Sequence, residues 1–343
     1  MPTLFDGTVV DGRYRIERKL GSGGVGTVYL AEHLALGKLM AVKILHAHDD
    51  PLTRHYERLR REAEVMASIR APNVARVFDY GTHEGAPYLA MEYLSGRNLG
   101  SQLQRDGWLP WPKVRDILSQ TIHGLSAAYA LGILHRDIKP SNVFLTTPHV
   151  GPDPTVKLLD FGLAKSLDTA SPLGTPLTAA DVVVGTVRYL APERIDGEPA
   201  SIRSEIYSLG LLAFECLCGR PPLTDSNPIT LLRRRLREPP PSALTLVPGL
   251  PPAVDELLLR AMEREPTRRF GSLAEFEAAL LAIPTHQVSS AAAREVDAVT
   301  PIAWCKTMPY GASSDGLVSR RTPTYPPTRP LAHRLPHWRP CRQ

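Results

Sequence analysis

The sequence predicts an α+β fold of two lobes, a small five-stranded β lobe with one helix followed by a larger, mostly helical lobe. Three observations carry that reading. Apolar and polar residues alternate in short runs as far as Tyr93, apolar residues recur at helical spacing beyond Gly96, and no period survives beyond Pro284. A chain of 343 residues, 43% hydrophobic and 22% charged, is long enough to bury a substantial core.

In chain order, residues 13–30 read as two strands joined by a glycine-rich turn. Tyr14 and Ile16 alternate with charged neighbours, and Val28 and Leu30 resume the pattern. Leu39–Leu45 is a third strand. Between Arg54 and Ile69, the residues Leu59, Ala63, Met66 and Ala67 fall on one helical face. Val74–Tyr80 and Tyr88–Tyr93 complete the five strands. After a link near Tyr93–Gly96, helices are expected at Leu99–Arg105, Trp111–Leu131, Ser201–Cys218, Pro228–Arg237, Ala253–Arg264 and Leu273–Ala282. Short extended pieces lie around Val143–Leu145 and Val156–Leu159, and the proline-bearing run His149–Pro154 reads as a surface loop. The expected divisions are an extension at 1–11, a folded domain at 12–283 (small lobe 12–94, large lobe 95–283) and a tail at 284–343. Nine prolines among the sixty tail residues leave too little apolar area to offset the entropy of ordering, so the tail is expected to be disordered.

Composition narrows the function. No run approaches 18 consecutive apolar residues, and Met1–Asp6 has neither the basic nor the apolar stretch of a leader, so a cytoplasmic protein without a membrane span is expected. The net charge of +5 belongs to the tail, where eight basic residues face three acidic ones; the first 283 residues are balanced at 32 of each. A neutral folded domain argues against a nucleic-acid partner. The tail charges stand singly or in one pair, which does not make a membrane-binding arm. Cys216, Cys218, Cys305 and Cys341 lack metal-ligand spacing, and the first two read as small core residues.

Two runs carry the chemistry: His135-Arg136-Asp137-Ile138-Lys139-Pro140-Ser141-Asn142, then Asp160-Phe161-Gly162. Asp137 can accept a hydroxyl proton, and Asn142 offers an amide oxygen to a metal. Asp160 adds a second hard ligand beside a glycine that lets the backbone turn. Two oxygen ligands for Mg²⁺ and a separate base suit phosphoryl transfer from ATP to a hydroxyl. Upstream, Gly21, Gly23 and Gly26 allow a tight turn whose N–H groups approach phosphates; their strand-turn-strand context differs from the dinucleotide fingerprint, which needs a helix next. Lys43 lies among apolar strand residues, either as a snorkelling lysine or as a cation for phosphate oxygens.

With Ala191-Pro192-Glu193 downstream, these motifs stand in the order of the protein-kinase signature. Residues 12–283 resemble a eukaryotic-type serine/threonine protein kinase, most like the bacterial members, and the resemblance implies the bilobal kinase fold. It further implies a phosphate-covering loop of Leu20, Gly21, Ser22, Gly23, Gly24, Val25 and Gly26. Lys43 would hold the α- and β-phosphates and be held in turn by Glu62, nineteen residues on. Glu64 competes for that role but lies about 200° round the helix from Glu62. Val28, Ala41 and Phe144 would sandwich the adenine, Met91 would guard the back of its pocket, and backbone groups of Glu92 and Leu94 would bond its edge. Asp137 would be the base, Lys139 the γ-phosphate partner, and Asn142 and Asp160 the ligands of Mg²⁺, with Mn²⁺ an alternative ion. A lysine at 139 followed by Pro140 resembles serine/threonine rather than tyrosine kinases.

The resemblance also implies regulation and architecture. Arg136 beside the base points to control by phosphorylation of the 160–193 segment, with Thr178 the first choice and Thr175 the second, added by the enzyme itself through a transient homodimer. Thr186 would be structural, bonding the base and Lys139. Glu193 would pair with Arg269. Glu205 is a departure, since the family usually has aspartate there to accept hydrogen bonds from the catalytic-loop backbone. The extra methylene would either shift the loop by about a bond length or remove a bond worth about 1–3 kcal/mol. The expected activity is therefore transfer of the γ-phosphate of MgATP to Ser/Thr hydroxyls of protein substrates. The alternatives are a catalytically weak pseudokinase or nucleotide-binding scaffold, and a small-molecule kinase, against which the Gly185–Glu193 segment argues.

Overall fold

The computed structural model describes residues 4–23, 26–46, 63–147, 154–161 and 187–285. Its small lobe is one antiparallel sheet of six strands rather than five, in the order β1-β2-β3-β4-β6-β5. The strands are β1 (Val9–Val10), β2 (Tyr14–Ser22), β3 (Gly26–His33), β4 (Lys38–Leu45), β5 (Val77–His83) and β6 (Ala86–Glu92). The extra strand, β1, is two residues long, too short to alternate. It pairs with β2 across a turn in which Asp11 and Gly12 both have positive φ, at 50° and 66°. That Asp-Gly dipeptide is the sequence signal that marks the hairpin.

Alternation along these strands sorts the residues onto two faces. Tyr29, Ala31, Met40, Val42, Ile44, Tyr88 and Ala90 form a closed outer core. Their neighbours Val28, Leu30, Ala41, Lys43, Leu89 and Met91 are brought together on the opposite face by register, since Val28 pairs with Lys43, Lys43 with Leu89, and Ala41 with Leu30 and Met91. The described part of the small-lobe helix, residues 63–68, packs Ala63 and Met66 into the core that continues into the large lobe.

A second antiparallel sheet of β7 (Gly96–Asn98), β8 (Val143–Thr146) and β9 (Val156–Leu158) lies below the link. Gly96 has φ 141°, and a Cβ there would stand 2.1 Å from the carbonyl oxygen of Leu145, so only glycine fits. Asn73 and Ala75 tie the small lobe to β9 through backbone bonds of 2.8 and 2.9 Å with Leu158.

The helices are α1 (Leu99–Asp106), α2 (Trp111–Tyr129), α3 (Pro192–Ile195), α4 (Ile202–Cys218), α5 (Pro228–Arg237), α6 (Pro252–Ala261) and α7 (Leu273–Ala282). The four-residue α3 is too short to show a period. Helix α4 is apolar nearly all round, burying Ile206, Leu209, Leu212 and Phe214 at the centre of the large lobe. Its start is set by a reciprocal Ser201–Ser204 capping box and its end by Gly219 in the left-handed conformation. Cys216 is buried and Cys218 half-buried, and neither is in a disulfide.

Candidate active site

Lys43 is buried on the cleft-side face of β4 and donates from Nζ to Asp160 Oδ1 at 2.7 Å. This pair joins the small-lobe sheet to the segment after β9. Asp160 has φ 49°, a left-handed conformation that aspartate tolerates better than most side chains and that aims its carboxylate back at Lys43. Val28 and Ala41 are buried beside Lys43, Met91 is half-buried on the same face, and Phe144 is buried on β8 in the other lobe.

The glycine-rich turn has two physical jobs. The Gly23 N–H donates to the Gly26 carbonyl at 2.7 Å, closing the loop. Gly26 is also required by the sheet, because a Cβ there would lie 2.4 Å from the Ile44 carbonyl oxygen. Leu20 and Ser22 are half-buried and Gly21 is buried.

The link is braced from an unexpected direction. Lys157 on β9 pairs with the Glu92 carboxylate at 2.6 Å, and that carboxylate also accepts the Arg76 N–H at 3.0 Å. The Glu92 N–H is donated to the Arg76 carbonyl, which leaves its own carbonyl as its backbone contribution to a ligand. Sequence reasoning missed Lys157, although a lysine between Val156 and Leu158, three residues before Asp160, is a visible break in an apolar strand. Leu94 is half-buried in the link.

In the catalytic loop, Lys139 Nζ stands 2.7 Å from Asp137 Oδ2. The Asn142 side-chain amide donates to the Asp137 carbonyl at 2.8 Å and to Oδ2 at 3.1 Å, which orients its own Oδ1 as the remaining donor to a cation. Asn142 and Asp160 are neighbours, since the Leu159 N–H donates to the Asn142 carbonyl at 2.9 Å. Among the described residues no three His, Cys, Asp or Glu side chains gather as a metal cage. Two hard oxygens fit an ion that keeps most of its coordination for phosphate and water, as Mg²⁺ does.

Two buried ionisable groups hold the loop from behind. His135 is fully buried and its imidazole is pushed down to about 4, chiefly by burial. Its Nδ1 accepts the Asp137 N–H at 3.3 Å, which puts the proton on Nε2, where it is donated to the Leu159 carbonyl at 3.0 Å. Its ring lies 4.6 Å from that of Phe161. Glu205, in the first turn of α4, accepts the Arg136 N–H at 2.6 Å, while Arg136 sits at φ 63°. The bond is made, so the longer side chain reaches the loop without losing it. Burial pushes the Glu205 carboxyl up to about 7 against the lowering effect of the Arg136 and His135 backbone N–H groups.

Arg269 is buried and grips Glu193 with two bonds of 2.7 and 2.8 Å. It also donates to the carbonyls of Glu263, Arg203 and Arg264, and stacks 4.7 Å over the Tyr207 ring. Gly24, Val25, Glu62, Thr175, Thr178 and Thr186 lie outside the described residues, as do most of the tail and of the loop at 149–154.

The protein kinase domain family matches residues 14–280. The chain is 39% identical over 274 residues to the serine/threonine-protein kinase Pkn1 of Myxococcus xanthus, covering 78% of this chain and 38% of that protein. It is 38% identical over 282 residues to PknA of Mycobacterium tuberculosis, covering 81% of this chain and 62% of PknA. The chain thus spans between about two-fifths and three-fifths of the length of these relatives. The crystal structure of the Mycobacterium tuberculosis PknI kinase domain superposes with a TM-score of 0.62 at 29% identity, over 82% of this chain and 99% of that one. Among the described residues no helix is long and apolar enough to cross a membrane.

Proposed function

The chain belongs to the protein kinase family, and we propose that it transfers the γ-phosphoryl group of ATP to serine and threonine hydroxyls of protein substrates. The observation that carries the reading is Asp137 held between Lys139 and Asn142, with Asn142 bonded through its carbonyl to Leu159, the neighbour of the Asp160 that pairs with Lys43 across the two lobes. ATP with a divalent cation supplies the phosphoryl group and neutralises its charge; Mg²⁺ suits the ligand pair, with Mn²⁺ an alternative.

Asp137 orients the attacking hydroxyl. As the hydroxyl oxygen bonds to the γ-phosphorus, the bond to the β,γ-bridging oxygen breaks, ADP leaves and the hydroxyl proton passes to Asp137. In a loose transition state that proton leaves late, so Asp137 acts more by positioning than by basicity. Lys139 offsets charge on the transferred group, Lys43 that on the α- and β-phosphates, and Asn142 and Asp160 offer the cation ligands. Val28, Ala41, Met91 and Phe144 supply the apolar walls of the adenine site and the Glu92–Leu94 link its polar edge. Glu62 is proposed to hold Lys43 when Asp160 turns to the cation.

The kinase domain is proposed to occupy 12–283, dividing near 94, with 284–343 outside it. Control is proposed to come from phosphorylation at Thr178 or Thr175 by a second copy of the chain. A cytoplasmic setting follows from the need for ATP. Radiolabelled ATP with a generic Ser/Thr protein substrate tests the activity. Label should transfer with wild type and fall by about 10²-fold or more with Asp137→Asn, and equal labelling by the two proteins would refute it. Intact-mass measurement after incubation with MgATP tests the self-phosphorylation, which an unchanged mass would exclude.

A further inference from the structure

Arginines crowd the end of α5, at 233, 234, 235 and 237. Arg233 and Arg237 are exposed and Arg234 pairs with Glu238, but Arg235 is only 2% exposed. It shares the face that buries Leu231 and Leu232, where an apolar side chain would complete the stripe. Burial lowers its pKa, with Tyr207 and Tyr189 opposing. A guanidinium there carries a desolvation cost that an apolar residue would not, so packing alone does not account for it. The far end of the side chain does. Nη1 donates to the Leu190 carbonyl at 3.0 Å. The preceding residue is held as well: Ser208 Oγ on α4 donates to the Tyr189 carbonyl at 2.7 Å, and the Tyr189 hydroxyl donates to Glu215. Side chains from two helices thus fix two consecutive carbonyls. Leu232 reinforces the grip by packing against Ile195 on α3.

Tyr189 and Leu190 line one cavity with Asp137 and Ile138 of the catalytic loop. At roughly 3.3 Å per extended residue, the substrate residue beside an acceptor held at Asp137 reaches this pair. We propose that Arg235 is a positioning residue for the protein substrate: from the buried face of α5 it fixes the Leu190 carbonyl, and with it the seat of the residue adjoining the acceptor Ser or Thr. The inference rests on the phosphotransfer reading, because Asp137 fixes where the acceptor hydroxyl lies. The grip is on Leu190 and not on a residue assigned to the nucleotide, so peptide transfer and ATP binding should separate in a variant.

The test uses the full chain, preincubated with MgATP, and a peptide library with Thr fixed at its centre, kept below KM so that the initial rate reads kcat/KM. Arg235→Met ends about two bonds short of Nη1 and carries no donor. It should lower that rate about tenfold, while the Kd for ATP, by titration calorimetry, stays within about twofold of wild type. Arg235→Lys, about one bond short and still a donor, should restore part of the rate. Melting curves check that each variant is folded, and should Arg235→Met not fold, Arg235→Gln carries the same comparison. A rate that the substitution leaves unchanged overturns the proposal while wild-type phosphotransfer stands. A matched loss of transfer and of ATP binding overturns it too, and assigns Arg235 to the stability of the large lobe. Arg235→Lys falling as far as Arg235→Met also counts against it, since a retained donor would then make no difference. A wild type that labels no peptide refutes the phosphotransfer reading and takes the proposal with it.

Discussion

Replacing Glu205 by glutamine isolates a pair of opposed titrations in the catalytic loop. The folded state raises the Glu205 carboxyl from 4.5 to about 7 and lowers the His135 imidazole from 6.5 to about 4. Glu205 therefore contributes stability that is fully present below pH 4.5 and is lost as pH rises through 7. His135 contributes stability that is present above pH 6.5 and is lost as pH falls through 4. Each shift corresponds to about 3 kcal/mol at 1.36 kcal/mol per unit, and over the window from about 4.5 to 6.5 the two slopes oppose and nearly cancel. Glutamine keeps an oxygen to accept the Arg136 N–H, while its amide end meets the second backbone donor unfavourably, a pH-independent loss of about 1–3 kcal/mol. Urea denaturation of wild type and Glu205→Gln at pH 5, 6, 7 and 8 should thus show a stability difference that moves in the variant's favour by about 3 kcal/mol across the series. The variant alone should lose stability steeply below pH 6.5, where His135 stands uncompensated. A difference that stays constant from pH 5 to 8 would show that Glu205 titrates as an ordinary carboxylate and would refute the reasoning.

Arg269→Ala strands Glu193 and three backbone carbonyls in a buried site, at a cost of about 3–5 kcal/mol, read as a melting temperature lower by about 10 °C. Lys157→Ala removes the brace on Glu92; a pair this enclosed is worth about 1 kcal/mol, so KM for ATP should rise about fivefold with kcat little changed. Lys43→Met leaves Asp160 without its 2.7 Å partner and should lower kcat/KM for MgATP by about 10²-fold or more, measured by coupled ADP release, while the melting temperature moves little.

The longer helices of the large lobe were legible because their apolar residues recur at helical spacing. Pro228–Arg237 and Leu273–Ala282 begin and end where their caps and apolar residues imply, with Asn227 and Ser272 accepting from the first-turn N–H groups. Trp111 onward is expected to reach Leu131 but stops at Tyr129, because Gly132 takes φ 75° and the carbonyls of the last turn bond ahead of it. What stayed hidden has no periodicity to read: β1 is two residues, α3 four, and β7 three. The motif residues sort in the same way. Lys43, Asp137, Asn142 and Asp160 are legible because their chemistry is local to short runs. The brace from Lys157 to Glu92, 65 positions apart, depends on β9 folding back under the link, which no single run encodes.

The contacts around residue 205 bear on how the two lobes are coupled. Glu205 rises from the first turn of α4, where the helix field favours its charge and burial disfavours it. It holds the Arg136 N–H; the next residue, Asp137, donates its N–H to His135; His135 in turn donates to Leu159 and lies against Phe161, and Asp160 between them reaches Lys43 in the small lobe. The column is continuous from the central helix of one lobe to the sheet of the other. An aspartate at 205 would be shorter by about 1.5 Å, the length of one C–C bond, so the 2.6 Å bond to Arg136 could persist only if the loop moved toward α4. Because His135 and Asp137 share the loop backbone, that movement would be passed to both at once. The extra methylene is therefore better understood as setting the height of the catalytic loop above α4 than as a defect in its anchor.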